Sequence, residues 1–347
     1  MNTIKKKYSF IDLFSGAGGL LRGFLDAGFN PVFSVEIWKP AIETHKHNYP
    51  NVKVFEEDIR SISNDRLAKY KGKVDVIVGG PPCQGFSTIG KRLVKDPRNE
   101  LVFEFIRFVE EIKPKAFLME NVRGLLSSDG GKTKEAIINE YKSIGYDVIS
   151  AVLCAADYKV PQLRNRVFFL GFREDLSLQP SFPKAICSKD NYETVGNAIM
   201  DLVGQEYVFP NHVPMKHNSI VEERIKYIKE GQGIPSEGLP EKLAHGSRSD
   251  YKDNSIKNFS HVYKRLSRSK PSTTMVPGHN AFPLHPTENR SLTVREAARL
   301  QTFPDDVIFY GTRQEQCIQV GNAVPVILAH VLANHIKSIL EMEGANG

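Results

Sequence analysis

Cys83 stands in the stretch GGPPCQGFS, residues 79–87, where two glycines and two prolines lead directly to one thiol. Proline fixes φ and supplies no N–H, and glycine lets neighbouring chain pack closely, so this thiol is presented on a stiff backbone. A lone cysteine is more often a buried structural residue. Here the rigid approach and the polar sequel QGFSTIGKRLVKD favour a nucleophile on a loop that can close over a ligand. Further along, KAFLMEN (115–121) ends in Glu120 and Asn121. A carboxyl group beside a thiol in a cleft can donate a proton or anchor a hydrogen bond; taken alone it would read as a helix cap. The segment QLRNR (162–166) puts Arg164 and Arg166 on one face if it is extended. Guanidinium groups at that spacing suit a base carbonyl or a phosphate, although isolated arginines are more often surface charges.

A second set of residues suits an adenosine-containing ligand. DLFSGAGGL (12–20) carries Phe14, Gly16, Gly18, Gly19 and Leu20 in a turn that leads from a strand into a helix, where free N–H groups meet a ligand. Glu36 follows about 20 residues on, where an acidic side chain commonly accepts from ribose hydroxyls. Ile37 and Trp38 come next, and Trp38 is the only tryptophan; its ring either stacks on adenine or fills core. Asp58 and Ile59 follow the third apolar run, so three successive strand ends carry residues of this kind.

These residues must be held by alternating elements. β-rich runs lie at YSFIDLF (8–14), PVFSVEI (31–37), VKVF (52–55), VDVIVGG (74–80), KAFLMEN, YDVISAVLCA and RVFFLGF, separated by helix-length stretches such as LLRGFLDAG and ELVFEFIRFVEEI. Such alternation predicts an α/β fold, a doubly wound and mostly parallel sheet covered on both faces. Residues 173–262 change texture to Pro, Ser, Asn, Lys and His, with one helical stretch, SIVEERIKYIKEG, and read as a smaller irregular domain. Helical periodicity returns in LTVREAARLQTF and in VPVILAHVLANHIKSILEM.

The 347 residues allow a large domain carrying a smaller one. The four cysteines form no C-x-x-C pair, which argues against a thiol-bound metal and for a reducing cytoplasm. No secretory leader and no membrane span are expected. Net charge is +6, and residues 211–270 hold 12 Lys/Arg against 7 Asp/Glu, most of that excess. A basic polar segment of this kind suits a phosphate backbone, or is simply a solvated lysine-rich face.

In this order the motifs resemble those of the cytosine carbon-5 DNA methyltransferases. The glycine turn is similar to the family's first motif, GGPPCQGFS to its catalytic motif, ENV (120–122) to its glutamate motif and QLRNR to its Gln-x-Arg-x-Arg pattern. RSLTVREAARLQTFPDD (290–306) and QVGNAVPV (319–326) resemble its two carboxyl-terminal motifs. The resemblance implies a Rossmann-like methyltransferase of the bacterial type II modification class, with a catalytic domain over 1–172, a target-recognition domain over 173–262, and a segment, 263–347, that returns to complete the first. It implies Cys83, Glu120, Arg164 and Arg166 as catalytic residues. S-adenosylmethionine is the implied cofactor, held by Phe14, Gly16, Gly18, Gly19, Leu20, Glu36, Ile37, Trp38, Asp58, Ile59, Pro81, Leu101, Asn322 and Val324; no metal is expected. Double-stranded DNA is the implied partner, contacted by Gln84, Ser87, Lys91, Arg92 and Arg98 in the closing loop and by Arg224, Arg248 and Lys252, with Lys226 and Lys257, in the middle domain. A monomer in a bacterial cytoplasm, sharing its target with a cognate restriction endonuclease, completes the expectation. A tRNA cytosine methyltransferase, or a silent DNA-binding regulator of the same fold, remains the alternative.

Overall fold

The computed structural model describes residues 7–82, 100–235, 237–243, 262–276 and 282–343. Cys83, Gln84, Ser87, Lys91, Arg92, Arg98, Arg248, Lys252 and Lys257 therefore lie outside the described residues. Among the described residues nine strands are assigned: β1 (Ser9–Leu13), β2 (Asn30–Val35), β3 (Val54–Phe55), β4 (Val76–Gly79), β5 (Ala116–Val122), β6 (Tyr146–Cys154), β7 (Gln162–Leu163), β8 (Asn165–Arg173) and β9 (Ser272–Thr273). The helices are α1 (Gly19–Asp26), α2 (Lys39–Asn48), α3 (Asn64–Ala68), α4 (Glu100–Ile112), α5 (Gly124–Ser127), α6 (Lys132–Ser143), α7 (Val195–Ile199), α8 (Ser219–Lys226), α9 (Val294–Leu300), α10 (Arg313–Asn322) and α11 (Val326–Glu343).

Among the described residues, seven strands form one sheet in the order β3-β2-β1-β4-β5-β8-β6. The first five are parallel, joined by helical crossovers. β8 runs antiparallel to both β5 and β6. The link from β6 to β8, Ala155–Arg164, is shorter than the roughly dozen residues a parallel crossover needs, so the chain must reverse. Register lines up the functional ends: Leu13 lies opposite Val35 and Gly79, Gly79 opposite Met119, and Val122 opposite Arg166. The glycine turn, the end of β4 and the end of β5 thus leave the same edge, where open α/β sheets bind ligands.

Both faces of the sheet are covered. On one, Ile11, Leu13, Phe33, Ile77 and Phe117 pack with Val102, Phe105, Ile106 and Val109 of α4, whose apolar positions repeat at helical spacing. Phe117 stacks on Tyr141 of α6 at 3.9 Å between centroids. On the other, α1 lies against α11, and Phe10, Phe24 and Phe29 form a ring cluster. α11 closes this face with Leu328, Ala329, Leu332, Ala333 and Ile336. The stretch Arg313–Glu343 is long and apolar enough in composition to cross a membrane, contrary to expectation, but most of it is buried inside the protein, as in a core helix.

The chain divides into two compact units. The first comprises 1–154, 165–186 and 324–347, and the second 155–164 and 187–323. This corrects the boundaries 1–172, 173–262 and 263–347: residues 263–323 belong with the middle of the chain, and only the last 24 return to the sheet. Their packing explains why. In the second unit Arg290 makes a two-pronged pair with Glu296, both bonds 2.8 Å. Thr293 and Glu296 form a reciprocal cap on α9, and fully buried Arg295 donates to the carbonyls of Pro210, Pro304 and Val307. His212 bridges Thr293 and the Leu202 carbonyl. The RSLTVREAARLQTF motif is thus the frame of the second unit.

Candidate active site

The glycine turn begins where β1 ends, at Phe14, which adopts a left-handed φ of 58°. Gly16 and Gly18 follow with φ of 54° and 82°, a reversal that a side chain at Gly18 would also obstruct, since its Cβ would lie 2.8 Å from the Tyr49 ring. Gly19 opens α1, and a Cβ there would sit 2.2 Å from the Val324 carbonyl. The return of the chain after α10 therefore abuts the turn, as expected for Val324.

Glu36 ties this turn to the next element. Its carboxylate accepts from Gly16 N at 2.7 Å and from Ile37 N and Trp38 N at 2.8 Å each. Trp38, partly buried, is the N-cap residue of α2, while Ile37 is 63% exposed and offers the bare apolar surface here. Asp58 is engaged: it caps the turn through Arg60 N and pairs with the Arg60 guanidinium, which holds the carboxyl below its usual range. Arg60 in turn reaches Glu100 at 3.0 Å, fixing the start of α4. The Ile59 side chain is buried in the sheet core, and Leu101 is half-buried against that same core.

The ends of β4 and β5 meet as the sequence predicts. Gly79 packs on the Leu13 carbonyl, and a Cβ on Gly80 would lie 3.0 Å from Glu120 Oε2. Asn121 Nδ2 donates to the Pro81 carbonyl at 3.1 Å, so the end of β5 grips the backbone that enters the Cys83 stretch. Glu120 is nearly buried, and its Oε1 lies 3.0 Å from Arg166 Nε, with both side chains largely shielded from water. A guanidinium there keeps the carboxyl oriented and supplies a positive edge beside it.

The two arginines of QLRNR part company. Arg166, in β8, belongs to the sheet unit, whereas Arg164 belongs to the second unit. Arg164 is 1% exposed, and its Nη1 and Nη2 donate to the carbonyls of Met275 and Asn322 at 3.4 and 3.3 Å. The expectation of two guanidinium groups on one face fails because the pairing of β7 with β9 ends the extended run before β8 starts. Asn322 likewise lies in the second unit. Arg224 needs the same correction: it is 5% exposed, donating to the Leu243 carbonyl and the Tyr263 hydroxyl at 2.7 Å each, so it is not available to DNA. Arg265 is buried among five acceptors, which makes part of the basic excess of this region structural. Lys226, Lys229 and Lys270 are exposed.

Sequence reasoning missed Asn121 as the clamp on Pro81. It also missed the polar group beneath the glycine turn: Asp12 is 1% exposed, and Ser15 Oγ lies 3.4 Å from Nδ1 of fully buried His45. The signal was an acidic residue in an otherwise apolar strand.

A strand-turn-helix glycine site, beside a carboxylate–guanidinium pair at the edge of a mostly parallel sheet, defines a Rossmann-like methyltransferase. The family description C-5 cytosine-specific DNA methylase matches residues 8–338, and the chain belongs to that family. It is similar to the type II methyltransferase M1.HphI of Haemophilus parahaemolyticus, 40% identical, covering 96% of this chain and 87% of the relative. It is likewise similar to M.DdeI of Desulfomicrobium norvegicum, 37% identical over 96% and 89% of the two chains. Among solved structures, a DNA modification methyltransferase encoded within a prophage of E. coli superposes with TM-score 0.77 at 27% identity, covering 96% of this chain and all of the other. Spodoptera frugiperda DNMT2 superposes at 0.61 with 18% identity, over 96% of this chain and all of the other, a likeness of fold. The enzyme is a DNA (cytosine-5-)-methyltransferase.

Proposed function

We propose that the chain transfers a methyl group from S-adenosylmethionine to carbon 5 of a flipped-out cytosine within a specific duplex sequence, through a covalent adduct on Cys83, as the modification enzyme of a restriction–modification system. The observation that carries this reading is the Glu120–Arg166 pair, set against Gly80 at the threshold of the Cys83 stretch.

The residues of the glycine turn fit the methyl donor. The Glu36 carboxylate has acceptor capacity beyond its backbone bonds for ribose hydroxyls, Ile37 offers an uncovered apolar face for the base, and the α1 N-terminus supplies N–H groups. Bound there, the sulfonium supplies an electrophilic methyl group.

Carbon 5 of cytosine is a poor nucleophile. Addition of the Cys83 thiolate to carbon 6 forms the sulfur–carbon bond and moves electron density to carbon 5, which then takes the methyl group. Free thiols ionise near a pKa of about 8.5, so Cys83 must be activated by its surroundings or by coupled proton transfer. Glu120 holds ring nitrogen 3 and donates a proton to it as the thiolate adds, stabilising the charge that addition creates. Arg166 keeps the Glu120 carboxyl in place and faces the base carbonyl, a role the sequence assigned to Arg164. Loss of the carbon 5 proton to a base, departure of the thiolate and return of the nitrogen 3 proton to the Glu120 carboxylate restore the neutral aromatic ring.

In a duplex the target carbon is stacked, so the nucleotide must leave the helix, which costs a few kcal/mol. Phosphate contacts by Lys91, Arg92 and Arg98 and by the exposed lysines of the second unit offset that loss. The type II names of the relatives support a paired endonuclease with the same target, and a monomer in a bacterial cytoplasm accords with that role.

The test follows tritium from labelled S-adenosylmethionine into duplex DNA, with tRNA in parallel. Cys83→Ser should abolish incorporation and preserve duplex binding, and DNA containing 5-fluorocytosine should trap an adduct on Cys83. Full activity of the serine variant, or incorporation into tRNA alone, overturns the reading.

A further inference from the structure

Between β4 and β5 the backbone ladder stops early. Its last pair is Gly79 with Met119, whereas β5 runs on through Glu120, Asn121 and Val122, paired with Phe168, Val167 and Arg166 of β8 on its other side. The sequence explains the stop. After Gly80 come Pro81 and Pro82, which have no N–H, so this arm of the chain cannot donate to β5. Among the described residues a side chain takes over: Asn121 Nδ2 donates to the Pro81 carbonyl at 3.1 Å, while Asn121 Oδ1 accepts from Val122 N at 2.8 Å. Those two bonds together fix which end of the amide faces Pro81. Asn121 is 2% exposed and Pro81 is buried, so losing the amide would leave a carbonyl short of its partner away from bulk water.

Glu120 and Asn121 thus address two consecutive residues of the neighbouring arm. A Cβ on Gly80 would meet Glu120 Oε2 at 3.0 Å, and the next carbonyl along is the one that Asn121 holds. Arg166 steadies Glu120 from β8. A local cap on Val122 N would need only an acceptor, and an aspartate would serve that purpose equally. The donor end of the amide is committed instead to Pro81, two residues before Cys83.

We propose that Asn121 is a positioning residue for sulfur addition: its amide replaces the missing ladder bond and fixes the spacing between the Glu120 carboxyl and the chain that enters the Cys83 stretch. The inference rests on the proposed function, in which Cys83 attacks carbon 6 while Glu120 protonates ring nitrogen 3. Asn121 bonds only to protein, so it acts on the rate of addition and leaves the binding of methyl donor and DNA alone. Thiolate and acid must meet one ring together, and a displacement on the order of 1 Å costs up to about 100-fold in rate.

Addition is read apart from methyl transfer by following release of tritium from carbon 5 of cytosine in duplex DNA, with S-adenosylhomocysteine in place of the methyl donor. Sulfur addition to carbon 6 opens the 5,6 double bond, and carbon 5 takes a proton from water. Loss of the tritium to water, departure of the thiolate and return of the nitrogen 3 proton to Glu120 then restore cytosine. Asn121→Ala and Asn121→Asp should each slow this exchange about 10- to 100-fold, and single-turnover methyl transfer in step, with Kd for the duplex and KM for S-adenosylmethionine within about threefold of wild type. The aspartate keeps the shape and the acceptor for Val122 N but has no N–H for Pro81, so it separates positioning from a local cap. Exchange within about twofold of wild type in either variant overturns the proposal, as does a loss confined to KM or one matched by an equal loss of folded protein in a thermal melt. If Asn121→Ala does not fold, the isosteric aspartate decides alone. Absence of exchange in the wild-type chain would instead refute the covalent step of the proposed function.

Discussion

Glu120 and Arg166 are the residues on which the reading turns most directly. Their 3.0 Å contact is shielded, so it is neither a screened surface pair nor free to find other partners. Positioned proton transfer commonly contributes about 10²–10⁴-fold, so Glu120→Gln should lower kcat by that order with a small change in melting temperature. Arg166→Ala should lower kcat comparably by releasing the carboxyl, and the double variant should lose little more than either single one. Arg164→Ala should instead act on stability, because it strips donors from the buried carbonyl of Met275 and from that of Asn322. Thermal melts beside single-turnover rates separate the two arginines; a catalytic loss in Arg164→Ala with an unchanged melt would return the role to that residue. Cys317, 0% exposed and pushed up to about 11 by burial, should not be labelled by thiol reagents at neutral pH in the native protein.

Among the elements, the contact of α1 with α11 is the most constrained. A Cβ on Gly23 would lie 2.4 Å from Ala329 Cβ and 2.6 Å from His330 N. Alanine in a helix interior is favoured over glycine by about 0.5–1 kcal/mol, but overpacking costs about 1–3 kcal/mol, so sterics should win. Gly23→Ala is expected to lower the free energy of unfolding in denaturant, and a gain would mean that α11 moves aside freely. Element limits were largely legible, α4 above all, because its apolar residues recur at helical spacing over 100–112. The reversed direction of β8 was not, since its run VFFLGF is apolar on both faces and carries no mark of strand direction.

For the whole molecule, pH is a revealing variable. Asp12 keeps its proton in the folded chain up to about 8, while the unfolded chain releases it near its ordinary value, so this group lowers stability progressively as pH rises through that window. His45 and His285 are both lowered to about 4 by burial; the unfolded chain protonates them below the ordinary 6.5, so they raise stability from about 4 to 6.5. Below 6.5 the two histidines outweigh the single Asp12, so these groups together raise stability with pH there, and above 6.5 the Asp12 slope is left to lower it. Denaturant unfolding should therefore show stability declining from pH 6.5 to 8 in the wild type, and a flat profile in Asp12→Asn. DNA affinity should fall steeply with salt, and Lys91→Ala, at a position proposed to contact phosphate, should reduce the slope of log K against log salt by about 1.

Order along the chain was enough to identify the family, because each motif couples a local backbone requirement to a chemical group: prolines and glycines to the thiol, a strand end to Glu120, a glycine turn to a helix N-terminus. Such requirements are met within a few residues and so are written locally. Which arginine serves Glu120, that Arg224 and Arg265 hold carbonyls, and that 263–323 frame the second unit were decided only in three dimensions. Burial and pairing of a charged side chain depend on residues scores of positions away, and a guanidinium has the same sequence signature whether it faces a ligand or the protein's own backbone.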